Sequence, residues 1–271
     1  MKILTLPHLR NKWQGCDIIV CGLGTSLNDL KNPEKYLTIG VNDIGGKFAP
    51  DLVVCIDPLT RFKIGNRKND ILNAKSRYFC SQLDPKAYPG LQAENYVRFR
   101  LGKRMGVGFQ FSEMSDRLDY HNTSPYVAAN LAAYVGAKRI FLIGVDLTPN
   151  HYNRQSGVHA LAKRLKEIDT QYDKFSKECS KNGVSIFNLS KSSKLTSLKK
   201  VEISEVHLKE ACSEKDIIPP KPDPKPKVSR TKRKPNPAPI SNPPGTNRRA
   251  NKRSQRNKRA GNISTTTRRN G

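Results

Sequence analysis

Short apolar runs that end in glycine, asparagine or aspartate recur through the first two-thirds of the chain. Asp17-Ile18-Ile19-Val20-Cys21-Gly22 is continuous, as expected of a parallel strand buried on both faces. A second run, 36–41, closes at Asn42-Asp43, and a third, Leu52-Val53-Val54-Cys55-Ile56, closes at Asp57-Pro58. Weaker strand signals follow near 77–80 and 96–99. Arg139-Ile140-Phe141-Leu142-Ile143-Gly144-Val145-Asp146 is the strongest, and 184–188 is the last. Helical spacing separates these runs. Thr123-Ser124-Pro125, a hydroxyl cap with proline in the first turn, predicts a helix start. The alanine-rich helix over 126–135 should stop at Gly136 in a left-handed cap. Leu161, Leu165, Ile168, Tyr172, Phe175 and Cys179 recur at steps of four and three, one face of a long amphipathic helix that Gly183 ends. Residues 100–122 lack a period and read as a mobile excursion able to act as a lid. The alternation predicts an α/β fold, Rossmann-like, with a mainly parallel sheet and flanking helices.

Composition divides the chain. It has 271 residues and a formal net charge of +26. The segment 213–271 holds 10 of the 18 prolines and 17 Lys+Arg against 3 Asp+Glu, with no aromatic residue. Such a segment buries too little apolar surface to offset its chain entropy, so a disordered tail is expected beyond a folded domain of residues 1–212. No apolar run approaches a membrane span, and the N-terminal run breaks at Pro7, too soon for a signal-peptide core. Six cysteines show no C-x-x-C pair or zinc spacing, and Cys21 and Cys55 lie inside apolar runs. The expectation is a reduced, cytoplasmic protein.

Parallel sheets bind ligands beyond the carboxyl ends of their strands, where strand order reverses. The polar strand ends here are Gly22–Ser26, Asn42-Asp43, Asp57, Asp146 and Asn188-Leu189-Ser190. Gly22-Leu23-Gly24-Thr25-Ser26 can bring backbone N–H groups to a phosphate, or can be a tight turn with a capping hydroxyl. It lacks the third glycine of a dinucleotide fingerprint and the Gly-Lys-Ser/Thr of a P-loop. Thr123 and Ser124 at a helix start are either caps or ligand-facing hydroxyls. Asp146 suits a sugar hydroxyl, a metal or a loop cap. His121, His151 and His159 fall near the expected mouth of the sheet, where an imidazole can move a proton near neutral pH. No H-x-x-x-H spacing points to zinc.

The series Gly22-x-Gly24-x-Ser26-Leu27, Gly40-Val41-Asn42, Thr123-Ser124 and Gly136-to-Asp146 resembles a pattern shared by three groups. These are the family-42 sialyltransferases, the Maf-type flagellin glycosyltransferases and the 6-hydroxymethylpterin diphosphokinase-like proteins. The resemblance spans roughly 17–195 and is patchy through 60–120. It implies a nucleotide-sugar-dependent glycosyltransferase. By the resemblance Gly24, Ser26, Asn42, Thr123 and Ser124 would hold the nucleotide, with Gly22, Thr25, Asp57 and Asp146 expected beside it; His159 would be the general base, or His121 or a tyrosine would assist the leaving phosphate. Where those sialyltransferases carry an arginine before the Thr-Ser pair, this chain reads Tyr120-His121-Asn122. No resident cofactor is firmly implied. The diphosphokinase-like alternative would use ATP and magnesium, held by Asp57 and Asp146. A non-enzymatic nucleic-acid-binding protein is the other alternative.

The tail changes the expected partners. Arg233, Lys234, Arg248, Arg249, Lys252, Arg253, Lys258 and Arg259 are spaced among small polar residues, with no acid after Asp223. Lacking aromatics to stack on bases, this segment should bind DNA or RNA through phosphates rather than sequence. An enzyme so equipped would act near a nucleic-acid-associated acceptor, for instance modified viral DNA.

Overall fold

The computed structural model describes residues 1–112, 115–148, 150–152 and 164–214. In chain order the strands and helices are β1 (Lys2–Thr5), β2 (Asp17–Cys21), β3 (Thr38–Val41), β4 (Leu52–Val54), α1 (Arg67–Leu72), β5 (Tyr78–Ser81), β6 (Asn95–Arg98), β7 (Arg100–Arg104), β8 (Arg117–Tyr120), α2 (Ser124–Tyr134), β9 (Arg139–Ile143), α3 (Leu165–Lys181) and β10 (Ser185–Asn188). Eight strands form one sheet in the order β1-β6-β5-β4-β3-β2-β9-β10. Every pairing in it is parallel. The α/β architecture expected from the alternating pattern is the one observed. Order runs outward from β2 in both directions, so the crevice between β2, β3 and β9 is the switch point at which such sheets receive ligands.

Apolar continuity explains the centre of the sheet. Ile18, Ile19, Val20 and Cys21 of β2 are fully buried, as are Ile140 and Leu142 of β9. A strand covered on both faces cannot alternate polar residues without burying them unpaired. Between the sheet and β8 lies α2, in which every residue but Pro125 is buried. Ala128, Ala129, Ala132 and Ala133 let it approach closely, and Asn130, also buried, donates back to the Tyr126 carbonyl at 2.8 Å.

The segment 100–122 corrects the expectation of a mobile lid. Its described part is a second, two-stranded parallel sheet, β7 with β8, docked on α2. Asp119, 2% exposed, accepts from the amides of Lys103 (2.8 Å), Gly108 (2.8 Å) and Phe109 (3.3 Å). From α2, Tyr126 and Tyr134 donate to the carbonyls of Gly106 and Ser115 at 3.0 and 2.9 Å.

The cysteines give a second correction. Cys16 and Cys212 form a disulfide across 196 residues of sequence, with Cα atoms 5.5 Å apart. Only Cys21, Cys55, Cys80 and Cys179 are free thiols, all buried. Burial pushes Cys55 up to about 12 and the others upward as well, so none is a ready nucleophile. Past the disulfide, Glu214 is ion-paired with Lys12 (2.5 Å) and Arg77. The expected tail, apart from Ser213 and Glu214, lies outside the described residues, as do all eight of its nucleic-acid-binding candidates. No helix among the described residues is long and apolar enough to cross a membrane.

Candidate functional site

At the switch point the backbones of two strand ends touch. Gly22 donates to the Ile143 carbonyl at 2.8 Å and Gly24 to the Gly144 carbonyl at 2.7 Å. A Cβ on Gly22 would run into the Gly144 carbonyl, and one on Gly144, whose φ is +69°, into that of Gly22. These glycines therefore serve the contact between two chain segments. The sequence had offered Gly22 and Gly24 as a phosphate approach or as part of a tight turn.

The turn that follows is fastened from below. Asp146, 3% exposed, accepts from the Ser26 amide (2.8 Å), the Thr25 hydroxyl (3.2 Å) and the Ser26 hydroxyl. Ser26 Oγ in turn accepts from the Gly144 amide at 2.9 Å. The residues that follow form a short 3-10 helix, Thr25–Asp29. Its Ser26 amide is spent on Asp146, so this turn offers an anion less than the pattern of two glycines suggested.

Above this floor lies a cleft of about 500 Å³. Of the residues expected at a nucleotide site, Gly24, Asn42, Asp57, Thr123, Ser124 and Asp146 line it; Gly22, Thr25 and Ser26 stand beneath or beside it. Asn42 and Ser124 meet across the crevice, Asn42 Nδ2 donating to Ser124 Oγ at 3.3 Å. Asn42 holds φ at +50° and Leu147, beyond β9, also at +50°. Such left-handed side chains are uncommon, and two of them beside one cleft mark a place where backbone strain is retained. Thr123 caps α2 in an extended conformation but makes no cap hydrogen bond. The Asn122 amide nitrogen is buried with no hydrogen-bond partner, and the buried Thr123 hydroxyl lies beside that of Tyr172, although both Asn122 and Thr123 line the cleft.

Several lining residues were absent from the sequence expectations. Arg67 on α1 grips Asp43, 1% exposed, through two bonds of 2.9 and 2.8 Å, and its guanidinium lies 4.9 Å from the Phe62 ring centre. Arg61 is exposed at the same wall. Leu165 and Ile168 of α3 add an apolar side. The sequence carried no signal for Arg61, Phe62 and Arg67, because 58–76 has no clear period.

The histidines separate. His151 lines the cleft. The His121 side chain is fully buried against the Tyr126 ring (5.6 Å between centres), with Nε2 3.8 Å from Glu167 Oε1. Burial lowers its basicity below the ordinary 6.5, opposed by Glu167 and helped by Arg164 and Arg104. His121 is thus a neutral imidazole behind the cleft wall and does not line the cleft. His159 lies outside the described residues. Asp57 and Asp146, the residues a magnesium–ATP reading would use, both line the cleft, but both Asp146 oxygens are engaged by the 25–26 turn. Among the described residues no group of three or more His, Cys, Asp or Glu is placed to hold a metal ion.

No protein-family model and no curated protein matches the chain. Among solved structures it is similar to a Maf glycosyltransferase from Magnetospirillum magneticum, at 13% identity and a TM-score of 0.49. That match covers 76% of this chain and 38% of the other, so this chain spans well under half of that protein's length. It is also similar to the sialyltransferase CstII from Campylobacter jejuni. With the cytidine-5'-monophosphate complex the identity is 13% and the TM-score 0.43, covering 77% of this chain and 95% of that one. With the CMP-3FNeuAc complex the identity is 13% and the TM-score 0.40, covering 75% and 94%.

Proposed function

We propose that the protein is a nucleotide-sugar-dependent glycosyltransferase whose donor occupies the switch-point cleft. The observation that carries this reading is the make-up of the cleft. Its volume suits a nucleotide-sized ligand. Asn42, Ser124 and the unpaired Asn122 amide nitrogen offer hydrogen bonds to a base or ribose, Leu23, Phe62 and Leu165 offer apolar surface, and Arg61 offers a cation to a phosphate. The ordered sequence motifs point the same way. A direct displacement by an acceptor hydroxyl needs one base to take its proton. His159 is the proposed base, and His151, at the cleft, is next in line.

The basic segment after Glu214 is proposed to bind nucleic acid through phosphates and to bring the cleft to an acceptor carried there. The deciding experiment is a thermal-shift screen of the full chain with CMP, UDP, GDP and ATP, each with and without magnesium. It is followed by mass-spectrometric search for transferred sugar with the stabilising nucleotide's sugar conjugates. Stabilisation by one of the first three without magnesium, and a sugar-sized mass increment lost in His159→Ala, are expected. A chain that no nucleotide stabilises overturns the reading.

A further inference from the structure

A second cavity, of about 430 Å³, opens at the other end of α2. Its walls come from the segment before β2, the C-terminal end of α2, the turn between α3 and β10, and the 3-10 turn Phe109–Phe111. Gln110 in that turn is 1% exposed, and neither its Nε2 nor its Oε1 has a hydrogen-bond partner. A buried amide with both atoms unpaired is costly, and native structures rarely keep one without a use. Slack in the turn is no explanation, since Asp119 holds the amides of Gly108 and Phe109, and Arg10 donates to the Ser112 carbonyl at 2.6 Å.

The surroundings of Gln110 have one chemical character. Arg10 lies 5.3 Å from the centre of the Tyr134 ring, Lys138 is exposed at the rim, and Phe111 is half-buried in the wall. Asn11 and Asn182 add further amides, and none of the residues lining the cavity is an Asp or Glu. A carboxamide presents a donor beside an acceptor, the arrangement that pairs with the edge of a nucleobase. Arginine and lysine at the mouth suit a phosphate.

We propose that this cavity binds a nucleoside monophosphate, with the base edge on Gln110, Phe111 beside the ring, and the phosphate between Arg10 and Lys138. The site is independent of the switch-point cleft: the two lie at opposite ends of an eleven-residue helix, about 16 Å apart along its axis. The ligand's source is a free mononucleotide or a nucleotide within a single strand, and both present the same base, sugar and phosphate.

The test is hydrogen–deuterium exchange of the full chain with AMP, GMP, CMP and UMP, with the matching nucleosides, and with a short single-stranded oligonucleotide. Exchange should slow at 10–15, 108–111 and 182–184, with nucleosides requiring at least tenfold higher concentration than nucleotides. Gln110→Leu should keep or raise the unliganded melting temperature, because it removes the unpaired amide, and should abolish that protection. Lys138→Ala should bring nucleotide affinity down to that of the nucleoside. Protection by mononucleotides alone identifies the free molecule as the source, and stronger protection by the oligonucleotide identifies the strand. Absence of protection at these segments with every probe, or its persistence in Gln110→Leu, overturns the proposal. Protection at 122–125 and 144–148 reports on the switch-point cleft separately.

Discussion

Ser26→Ala should unfold the protein more readily, at an energy that the geometry lets us work out. The hydroxyl is 3% exposed as part of its residue, donates to the Asp146 carboxylate, and accepts from the Gly144 amide at 2.9 Å. Losing a bond to a charged group costs about 1.5–3 kcal/mol, and stranding a buried amide costs about 1–3 kcal/mol. The two overlap, because the turn can relax slightly, so about 3 kcal/mol is expected. For a domain of this size that lowers the melting temperature by about 6–12 °C. Urea denaturation of parent and variant is the assay, with the midpoint moving and the slope unchanged. Asn42→Gly is the control, since glycine is at ease at the left-handed φ of +50° held here and alanine is not. Its amide meets only the Ser124 hydroxyl, at 3.3 Å, in a half-buried place. It should cost under about 1 kcal/mol of stability while weakening nucleotide binding. Equal midpoints for Ser26→Ala and the parent would refute the assignment of Ser26 to the scaffold. A large destabilisation by Asn42→Gly would refute its assignment to the ligand.

Three further outcomes follow. Thiol titration of the unfolded chain should give four reactive cysteines before reduction and six after. Reduction of Cys16–Cys212 should lower stability by up to about 5 kcal/mol, from the long loop it closes. His121, kept neutral by burial, gives up stability as the medium turns acidic. Its contribution is complete above the unfolded value of 6.5 and falls as pH drops below it, so stability measured from pH 7.5 to 5 should decline less in His121→Gln than in the parent. Nucleic-acid binding by the full chain should weaken steeply with salt, and a chain ending at Glu214 should lose most of it; equal binding by the two would remove the basic segment from the function.

The strands of the sheet's centre were legible because burial on both faces forces continuous apolar sequence. β2, β3, β4 and β9 all begin and end within two residues of their expected places except at the last strand's polar close, where the chain leaves the sheet at Ile143. β1 was illegible: Lys2-Ile3-Leu4-Thr5 is short, partly exposed, and a strand only because β6, some ninety residues later, pairs with it. β7 and β8 were hidden for a different reason. They are rich in arginine, and what fixes them is one buried carboxylate, Asp119, whose partners are backbone amides that no side-chain pattern reveals. The disulfide joins residues too far apart in sequence for spacing to suggest it. At the site, strand ends were readable as positions and not as roles. Asp146 and Ser26 were open to a ligand or a capping role and are found clamping the turn, while Asn42, Thr123 and Asp146 itself line the cleft.

The touching glycines at 22 and 144 also decide how the cleft can respond to a guest. A floor welded from two backbones has no side chain to swing aside and no gap to close, so it can neither deepen nor yield. Discrimination between guests of different bulk then falls to the side chains that line the walls, such as Asn42, Arg61, Thr123 and Leu165. Selection for a new guest would then rewrite those wall residues and leave both glycines untouched, and because each blocks the other, no compensating exchange at the partner position could rescue a larger residue at either.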